Sequence, residues 1–297
     1  MFRSLRFYRL DDDWPTDEAE LSARLATVAF TPCGPFSEQS AGFEAPSGVD
    51  ADPLFRRVAG ADLLRVRRQV RLLPAAAVNE ALPERLAEYE ARMGREASRK
   101  ERRQLRDEVY GELLPRSLLR SDRLQALALH RERLLVIDAA VPARAELVLD
   151  RLRDAFGSLK VRPLTFRDPV STLLSRILLG DGPRELRLGR ECRLNDPASA
   201  RSAVQWTDMD LSDEEPRTLL QSGLRLLRLG VEFEELCTGV VDQDGVWRKV
   251  RWPDVAAAEV GDEDPLARLD TETTLLAGAV RRLVTLLERV LGSSEGS

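Results

Sequence analysis

The chain has 297 residues and a mass of 33.3 kDa, enough for one large domain or two small ones. Hydrophobic residues make up 43% and charged residues 32%, a balance that excludes a wholly disordered chain. No apolar run reaches the ~18–20 residues that a membrane span needs. The first residues also lack the apolar stretch and cleavage site of a secretory signal, so we expect no membrane partner.

Cysteine and histidine usage narrows the chemistry further. Cys33, Cys192 and Cys237 lie far apart and form neither a CxxC motif nor a disulfide framework, which predicts a cytoplasmic protein. His130 is the single histidine, so a multi-histidine metal site is excluded and a catalytic triad would have to use His130. Its alternating surroundings favour a half-exposed strand side chain. We predict no catalytic residue, no metal site and no cofactor.

The chain is acidic overall, and nearly all of its basic residues are arginines. There are 45 basic and 50 acidic residues, a net charge of -5, and only Lys100, Lys160 and Lys249 are lysines. The excess of arginine has two explanations: a genome that favours arginine codons, or a need for the planar guanidinium that suits phosphate. The net charge argues weakly against nucleic-acid binding, but the distribution of charge matters more than its sum.

In the N-terminal region, residues 1–74 and 116–167, short strands alternate with amphipathic helices. The chain starts with a strand, followed by a helix with Leu21 and Leu25 at helical spacing and a turn at residues 30–36. Residues 61–74 alternate apolar and basic side chains, and a period of two places most of these arginines on one sheet face. After Pro115, two paired strands, a helix that ends at Gly157 and a further strand are predicted.

Residues 75–115 change to a helical period and predict an inserted antiparallel helical hairpin. Pro83 marks a first turn or a kink, Gly94 ends the first helix, and Ser98 with Glu101 forms a capping box for the second. The tip is the most basic part of the chain, because residues 92–106 hold seven basic and two acidic residues. A solvated helix face would by itself explain such a run.

The C-terminal region, residues 168–297, again mixes helices and antiparallel strands. A short helix follows Pro169, and a later helix is predicted with Ser212 as its cap and Gly223 at its end. Strands with an Asp244-Gly245 hairpin turn follow, then a long helix over residues 265–291 and a frayed tail. The fold class is therefore α+β, with antiparallel sheets flanked by helices.

Enzymatic motifs are scarce. The chain has no GxxxxGK[ST], GxGxxG or HExxH sequence. Asp11–Asp13 is the best metal candidate by carboxylate density, although acids that start a helix explain it better.

Basic residues interleaved with apolar ones are the better functional signal, because arginine and lysine contact phosphates without reading sequence. Trp247 and Trp252 flank one basic strand and could stack on bases, but core packing is the favoured interpretation. The candidate DNA contacts are Arg65, Arg67, Arg68, Arg92, Arg95, Arg99, Lys100, Arg102, Arg103, Arg106, Arg116, Arg248, Lys249 and Arg251.

The order of these segments resembles the RdgC family of bacterial recombination-associated proteins. The resemblance covers essentially the whole chain and rests on FRSLRFYRL at the start, ATVAFTPCG at 26–34, RDEVYGELLPR at 106–116, LRDAFGSLKVRPL at 152–164 and DLSDEE at 210–215. It implies a non-enzymatic, nucleoid-associated, ring-shaped homodimer that surrounds duplex DNA and restrains RecA. Single-stranded DNA is left open as a second ligand.

The resemblance also assigns individual positions. LLPR at 113–116 matches, so Arg116 is a candidate DNA-facing or interface residue. Leu118 stands where family members often have an aromatic residue near the closure of the ring, and we expect it at the dimer interface. Relatives can carry basic residues just before Asp210, whereas this chain reads QWTDM, which weakens a DNA contact at Thr207–Met209.

Two rival functions stay open. The first is a protein-interaction factor that acts directly on RecA, suggested by residues 161–297, which hold 18 basic and 24 acidic groups. The second is a metal-dependent nuclease that uses Asp11–Asp13.

Overall fold

The computed structural model describes residues 1–253 and 264–293, without the side chains of residues 200 and 201. The predicted frayed tail lies outside these residues except for Ser293. The helices are α1 (Glu18–Ala26), α2 (Ala75–Met93), α3 (Arg99–Leu113), α4 (Pro142–Phe156), α5 (Val170–Leu179), α6 (Glu214–Gln221) and α7 (Pro265–Leu291), with a 3₁₀ turn at Leu114–Arg116. The strands are β1 (Arg6–Leu10), β2 (Gln39–Glu44), β3 (Phe55–Val58), β4 (Ala61–Leu72), β5 (Leu118–Leu129), β6 (Leu134–Ile137), β7 (Val161–Pro163), β8 (Leu186–Asp196), β9 (Ser199–Thr207), β10 (Arg225–Phe233), β11 (Cys237–Asp242) and β12 (Trp247–Arg251).

The strands form two antiparallel sheets, as the α+β prediction requires. The first sheet has the order β2-β4-β5-β6-β1-β7, with β3 also paired to β4. The second sheet has the order β12-β11-β10-β8-β9. β4 and β5 pair over their full lengths, from Ala61 opposite Leu129 to Leu72 opposite Leu118. Helices α2 and α3 therefore lie in the sequence between β4 and β5, two strands that are direct neighbours in the sheet.

Two apolar cores hold the layers together. One core lies between α1, α4 and a face of the first sheet, and it includes Leu21, Leu64 and Val148. The other includes Phe2, Leu127, Trp247 and Val280, residues of both sheets and of α7. The N-terminal and C-terminal regions are thus joined through a shared core, and a bridge between Leu5 and Trp247 adds backbone hydrogen bonds of 3.0 Å.

Local signals predicted most helix ends correctly. Gly94 and Gly157 adopt left-handed conformations at the ends of α2 and α4. Ser98 and Glu101 form the predicted capping box of α3. The predicted last helix, 265–291, is α7.

One local prediction is wrong: the cap of α6 is Asp213 rather than Ser212, whose amide instead donates to Asp210 Oδ1 at 2.9 Å. The predicted stop at Gly223 is confirmed, because Gly223 follows the cap residue Ser222 and adopts a left-handed conformation. Pro83 lies inside α2 on the exposed side, so it does not start a new helix, and the alternative of a kink there stays a prediction. In addition, strand β3 was not predicted, because its four residues run directly into the basic stretch before β4.

Candidate nucleic-acid interface

Helices α2 and α3 run antiparallel and pack mainly on one another. Arg85 Nη2 in α2 lies 2.6 Å from Glu112 Oε2 in α3, while Tyr89 donates to Glu101 near the opposite end. The buried side of α3 carries Leu105 and Val109. Its opposite side is exposed and polar, so most of the charge of this helix is available to solvent or to a ligand.

Four exposed basic side chains share the open side of α3, and we call them the α3 basic face. Arg99, Arg103 and Arg106 recur at spacings of four and three, which places them on adjacent turns of one face. Lys100 lies three residues before Arg103. No acidic group of the described residues forms an ion pair with any of the four. Since none of the four is held in an ion pair within the described residues, their charges are available to an anion.

The other basic residues of the tip are engaged within the hairpin. Arg95 forms two bonds with Glu101, and Arg102 Nε donates to the Ala97 carbonyl at 3.0 Å. The Arg102 guanidinium also lies 3.9–4.0 Å from Glu96 and Glu90. The Arg92 guanidinium lies 5.8 Å from the centre of the Tyr89 ring, while its side chain stays exposed. The sequence prediction treated the basic residues of 92–106 as one group. The structure divides them into arginines that contact acidic or aromatic side chains of the hairpin and basic residues that do not.

The arginines of β4 are divided between the two faces of the first sheet. Arg65 and Arg67 share one face, and Arg68 lies on the other, where it donates to Gln39 Oε1 at 2.8 Å. Glu44 lies 2.8 Å from Arg65 and 3.8 Å from Arg67. The Arg67 guanidinium also lies 4.5 Å from the centre of the Phe30 ring. These internal contacts reduce the charge that β4 presents to a ligand.

Arg123 was missed by the sequence prediction. It lies opposite Arg67 on β5, and its Nε lies 2.7 Å from Glu44 Oε1. Residues 119–125 show no clear alternation of apolar and polar side chains, and the partner strand β4 is far away in the sequence, so no local signal identified Arg123. Glu44 therefore pairs with three arginines, so the sheet face that carries Arg65, Arg67 and Arg123 keeps a net positive charge.

Arg71 attaches the base of the hairpin to the sheet. Its Nη1 lies within 3.2–3.4 Å of the carbonyl oxygens of Leu114, Pro115 and Ser117. Its Nε donates to the Gly34 carbonyl at 3.2 Å. The guanidinium thus satisfies carbonyls at the end of α3, which fixes where the helix meets the sheet.

The basic strand β12 is largely neutralised. Arg248 binds Asp242 Oδ2 through Nε at 3.1 Å and Nη2 at 2.9 Å, and Lys249 Nζ lies 2.6 Å from Glu191 Oε2. Arg251 is exposed. Trp247 is 1% exposed, and Trp252 donates to the Phe2 carbonyl at 2.6 Å. The favoured core placement of the tryptophans is confirmed for Trp247, and its stacking on bases is excluded by burial.

An exposed apolar patch lies beside the hairpin base. Leu118 is 77% exposed and pairs across the sheet with Leu72, which is 40% exposed. Leu119, on the other face of β5, is 45% exposed, and Arg116 is exposed two residues before Leu118. Contiguous exposed apolar side chains mark contact surfaces more often than isolated ones do.

The three carboxylates at residues 11–13 contact basic side chains or a backbone amide. Asp11 Oδ1 lies 3.1 Å from Arg162 Nε, and the Asp12 carboxylate accepts the Lys160 amide at 2.8 Å. Asp13 lies 3.5 Å from Arg133. Within residues 1–253 and 264–293, no group of three or more histidine, cysteine, aspartate or glutamate residues is arranged to hold a metal ion.

His130 belongs to a structural cluster around the buried Asp62. Its Nε2 lies 2.9 Å from Asp62 Oδ2, which also accepts Trp14 Nε1 at 2.7 Å, while Arg57 makes a bidentate pair with the same carboxylate. Burial raises the pKa of Asp62, but the hydrogen bonds from Arg57, His130 and Trp14 outweigh it and leave the pKa below its usual range. His130 is half-buried at the end of β5.

The three cysteines are free and buried. Burial raises the pKa of both Cys192 and Cys237 to about 12, which makes them poor nucleophiles. Among the described residues, none of the helices combines the length and the apolar character needed to cross a membrane.

Comparison with known proteins gives a consistent family. The family model described as "Putative exonuclease, RdgC" matches residues 1–294. A recombination-associated protein RdgC of Halorhodospira halophila is 34% identical over 298 residues, covering 99% of this chain and 98% of the relative. Those of Shewanella oneidensis and Shewanella piezotolerans are 29% and 27% identical, with 98% or more of each chain covered. On the strength of the full-length match, the chain belongs to the RdgC family.

Proposed function

We propose that this protein is a recombination-associated factor that binds duplex DNA through its phosphates, with little sequence preference. The α3 basic face carries the proposal. Arg99, Lys100, Arg103 and Arg106 are exposed, share one side of a helix and have no acidic partner among the described residues. Backbone phosphates fit such a surface, because lysine and arginine contacts to phosphate give affinity that does not depend on base sequence.

A homodimeric ring would reconcile DNA binding with the acidic net charge of -5. In such a ring, basic faces line the hole and acidic surfaces form the outer wall, so the field is concentrated where the duplex passes. The exposed leucine patch around Leu118 supports a closing contact between two copies, since it lies at the end of the β4–β5 ladder beside the hairpin. Two copies would present eight unpaired charges from the α3 basic face.

Restraint of RecA follows from occupation of the duplex by this ring. A protein that encloses the duplex competes with a recombinase filament for the same phosphates. The proposal is non-enzymatic, and the engagement of Asp11–Asp13 with Arg162, Arg133 and the Lys160 amide supports it. Magnesium-dependent DNA degradation that disappears in Asp12→Asn would contradict this part of the proposal.

The binding test is a salt series with a short labelled duplex of random sequence. With about eight phosphate contacts per dimer, affinity should fall by about 10³–10⁵ between 50 and 200 mM salt. A second duplex of different sequence should give the same curve. Absent or salt-insensitive binding would contradict the proposal.

Direct action on RecA is the second candidate. Exposed acidic residues at Asp208, Asp210 and 213–215 support it, because they form an acidic stretch in the C-terminal region. RecA-catalysed strand exchange separates the two functions. If reversal of the charge on the α3 basic face removes DNA binding and inhibition together, DNA binding is the cause. If inhibition persists without DNA binding, direct contact with RecA is the cause of the inhibition.

A further inference from the structure

The open face of the second sheet carries a cluster of arginines outside every basic stretch identified in the sequence. On β8 and β10, Arg193 lies directly opposite Arg228, and Asn195 lies directly opposite Arg225. The neighbouring residues Cys192, Leu194, Leu226 and Leu229 are buried in the core. Side chains alternate along β8, so Arg193 and Asn195 face away from that core. On β10 an irregularity in the pairing between Leu226 and Arg228 adds one residue, so Arg225 and Arg228, three residues apart, lie on the same open face.

The pairing of Arg193 with Arg228 is unfavourable without a bound anion. Residues directly opposite in an antiparallel pair have Cβ atoms roughly 4.5–5.5 Å apart, and like charges there destabilise the sheet. Both side chains are half-buried, which weakens screening by solvent. No acidic group of the described residues forms an ion pair with Arg193, Arg225 or Arg228.

The nearest acidic side chain across the sheet is already occupied. Asp242 lies opposite Arg228 on β11, but its Oδ2 accepts two bonds from Arg248. Its Oδ1 accepts the backbone amides of Asp244 and Val246 at 3.1 Å and 3.0 Å. On the other side, Arg193 faces the neutral Gln205 of β9. The row formed by Gln205, Arg193, Arg228 and Asp242 therefore holds two arginines and one carboxylate, which already binds Arg248.

Asn195 adds an independent sign of a missing partner. Its Oδ1 is buried and has no hydrogen-bond partner, a condition that is rare and unfavourable in folded proteins. Rotation of the amide by half a turn exchanges its oxygen and nitrogen, so the same side chain can donate to an anion. Three guanidinium groups and one amide then offer hydrogen-bond donors to one ligand.

We propose that Arg193, Arg225 and Arg228, with Asn195, form a phosphate-binding site on the second sheet. Phosphate is the ligand that fits, since the guanidinium fork binds phosphate oxygens bidentately and an anion between Arg193 and Arg228 removes their repulsion. The phosphate is either part of a polynucleotide backbone or a free phosphate group. If it belongs to DNA, the site extends the proposed function to a second contact surface. If it is free, the site stands without DNA binding.

Thermal unfolding with inorganic phosphate tests the site directly. We expect the Tm of the unmodified protein to rise by about 2–3 °C in phosphate at ten times the dissociation constant, relative to chloride of equal ionic strength. Arg193→Glu should abolish this rise, and in chloride it should be more stable than the unmodified protein because the introduced carboxylate would pair with Arg228. Arg193→Gln tests the same loss without a new ion pair. Arg184→Glu, an exposed arginine in the loop before β8, is the charge-matched control and should keep the phosphate response.

Duplex binding then identifies the source of the phosphate. A loss of the Tm response together with weaker duplex binding by Arg193→Gln, but not by Arg184→Glu, supports a backbone phosphate. A loss of the response with unchanged duplex binding supports a free phosphate group. A phosphate response that is absent from the unmodified protein, or retained by Arg193→Glu and Arg193→Gln, would overturn the site. None of these outcomes depends on whether the α3 basic face binds DNA.

Discussion

Glu101 neutralises Arg95 through two hydrogen bonds, of 2.7 Å from Nη2 to Oε1 and 2.9 Å from Nη1 to Oε2. Bonds from Arg95, then from Ser98 and Tyr89, hold the pKa of Glu101 well below its usual range. The charge of Arg95 is therefore matched within the hairpin, whereas Arg99, four residues later, has no acidic partner among the described residues. Position in a basic stretch does not by itself make an arginine available to a ligand.

This difference predicts unequal effects within the same stretch. Arg99→Gln should weaken duplex binding and reduce the slope of log affinity against log salt by about one per protomer. Arg95→Gln should change that slope less, since its charge is already compensated, and should instead loosen the turn between α2 and α3. Fluorescence anisotropy over a salt series measures both variants. Equal slope changes would contradict the assignment.

The buried Asp62 should make stability depend on pH. Its folded pKa lies below the unfolded value, so its contribution is present above the unfolded pKa of about 3.9 and is lost as pH falls through the folded pKa. At pH 7, Asp62→Asn should lower the free energy of unfolding by about 3–5 kcal/mol, because Arg57 loses its partner. Urea unfolding should show the difference shrinking as pH falls below about 4. A constant difference down to pH 2 would be inconsistent with this role.

Two glycines should respond oppositely to alanine. A Cβ on Gly42 would lie 2.6 Å from the backbone N and Cα of Phe30, whose amide donates to the Phe43 carbonyl at 2.8 Å. Gly42→Ala should therefore destabilise the fold by about 1–3 kcal/mol. A Cβ on Gly111, inside α3, would meet no atom within 4 Å. Gly111→Ala should stabilise by roughly 0.5–1 kcal/mol. Thermal unfolding should give a lower Tm for Gly42→Ala and a higher Tm for Gly111→Ala than for the unmodified protein.

The exposed leucine patch should control assembly. Leu118→Asp places a charge in the proposed contact between two copies, and we expect a shift from dimer to monomer in sedimentation velocity. The fold should persist, because Leu118 is 77% exposed. Val49→Asp, at a loop residue that is 54% exposed, is the control and should leave the dimer intact. An unchanged sedimentation coefficient for Leu118→Asp would remove this residue from the interface.

Features encoded locally were predictable from the sequence. The α3 capping box needs only Ser98 and Glu101, three residues apart, and the end of α2 needs only Gly94. The face shared by Arg99, Arg103 and Arg106 follows from helical spacing alone. The strand β3 and the cap of α6 were missed or misplaced, because a four-residue strand has little periodicity and because Asp210 competes for the Ser212 amide.

Which basic residues are neutralised could not be predicted, since it depends on pairing between distant strands. Lys249 meets Glu191 from a position 58 residues away, and Glu44 is shared by arginines of two other strands. The arginine cluster of the second sheet was missed for the same reason. Arg193 and Arg228 are 35 positions apart, and only the register of β8 with β10 brings them together.

The most direct test of DNA binding by the α3 basic face is the salt dependence of duplex affinity for Arg99→Glu/Arg103→Glu/Arg106→Glu. Arg144→Glu/Arg151→Glu/Arg153→Glu, on α4, is the control with the same change in net charge. A dimer loses six phosphate contacts in the first variant, so the slope should become shallower by about six and affinity at 50 mM salt should fall by more than about 100-fold. The control should keep a steep slope. Equal affinity and slope for the α3 variant and the unmodified protein would contradict binding through this face.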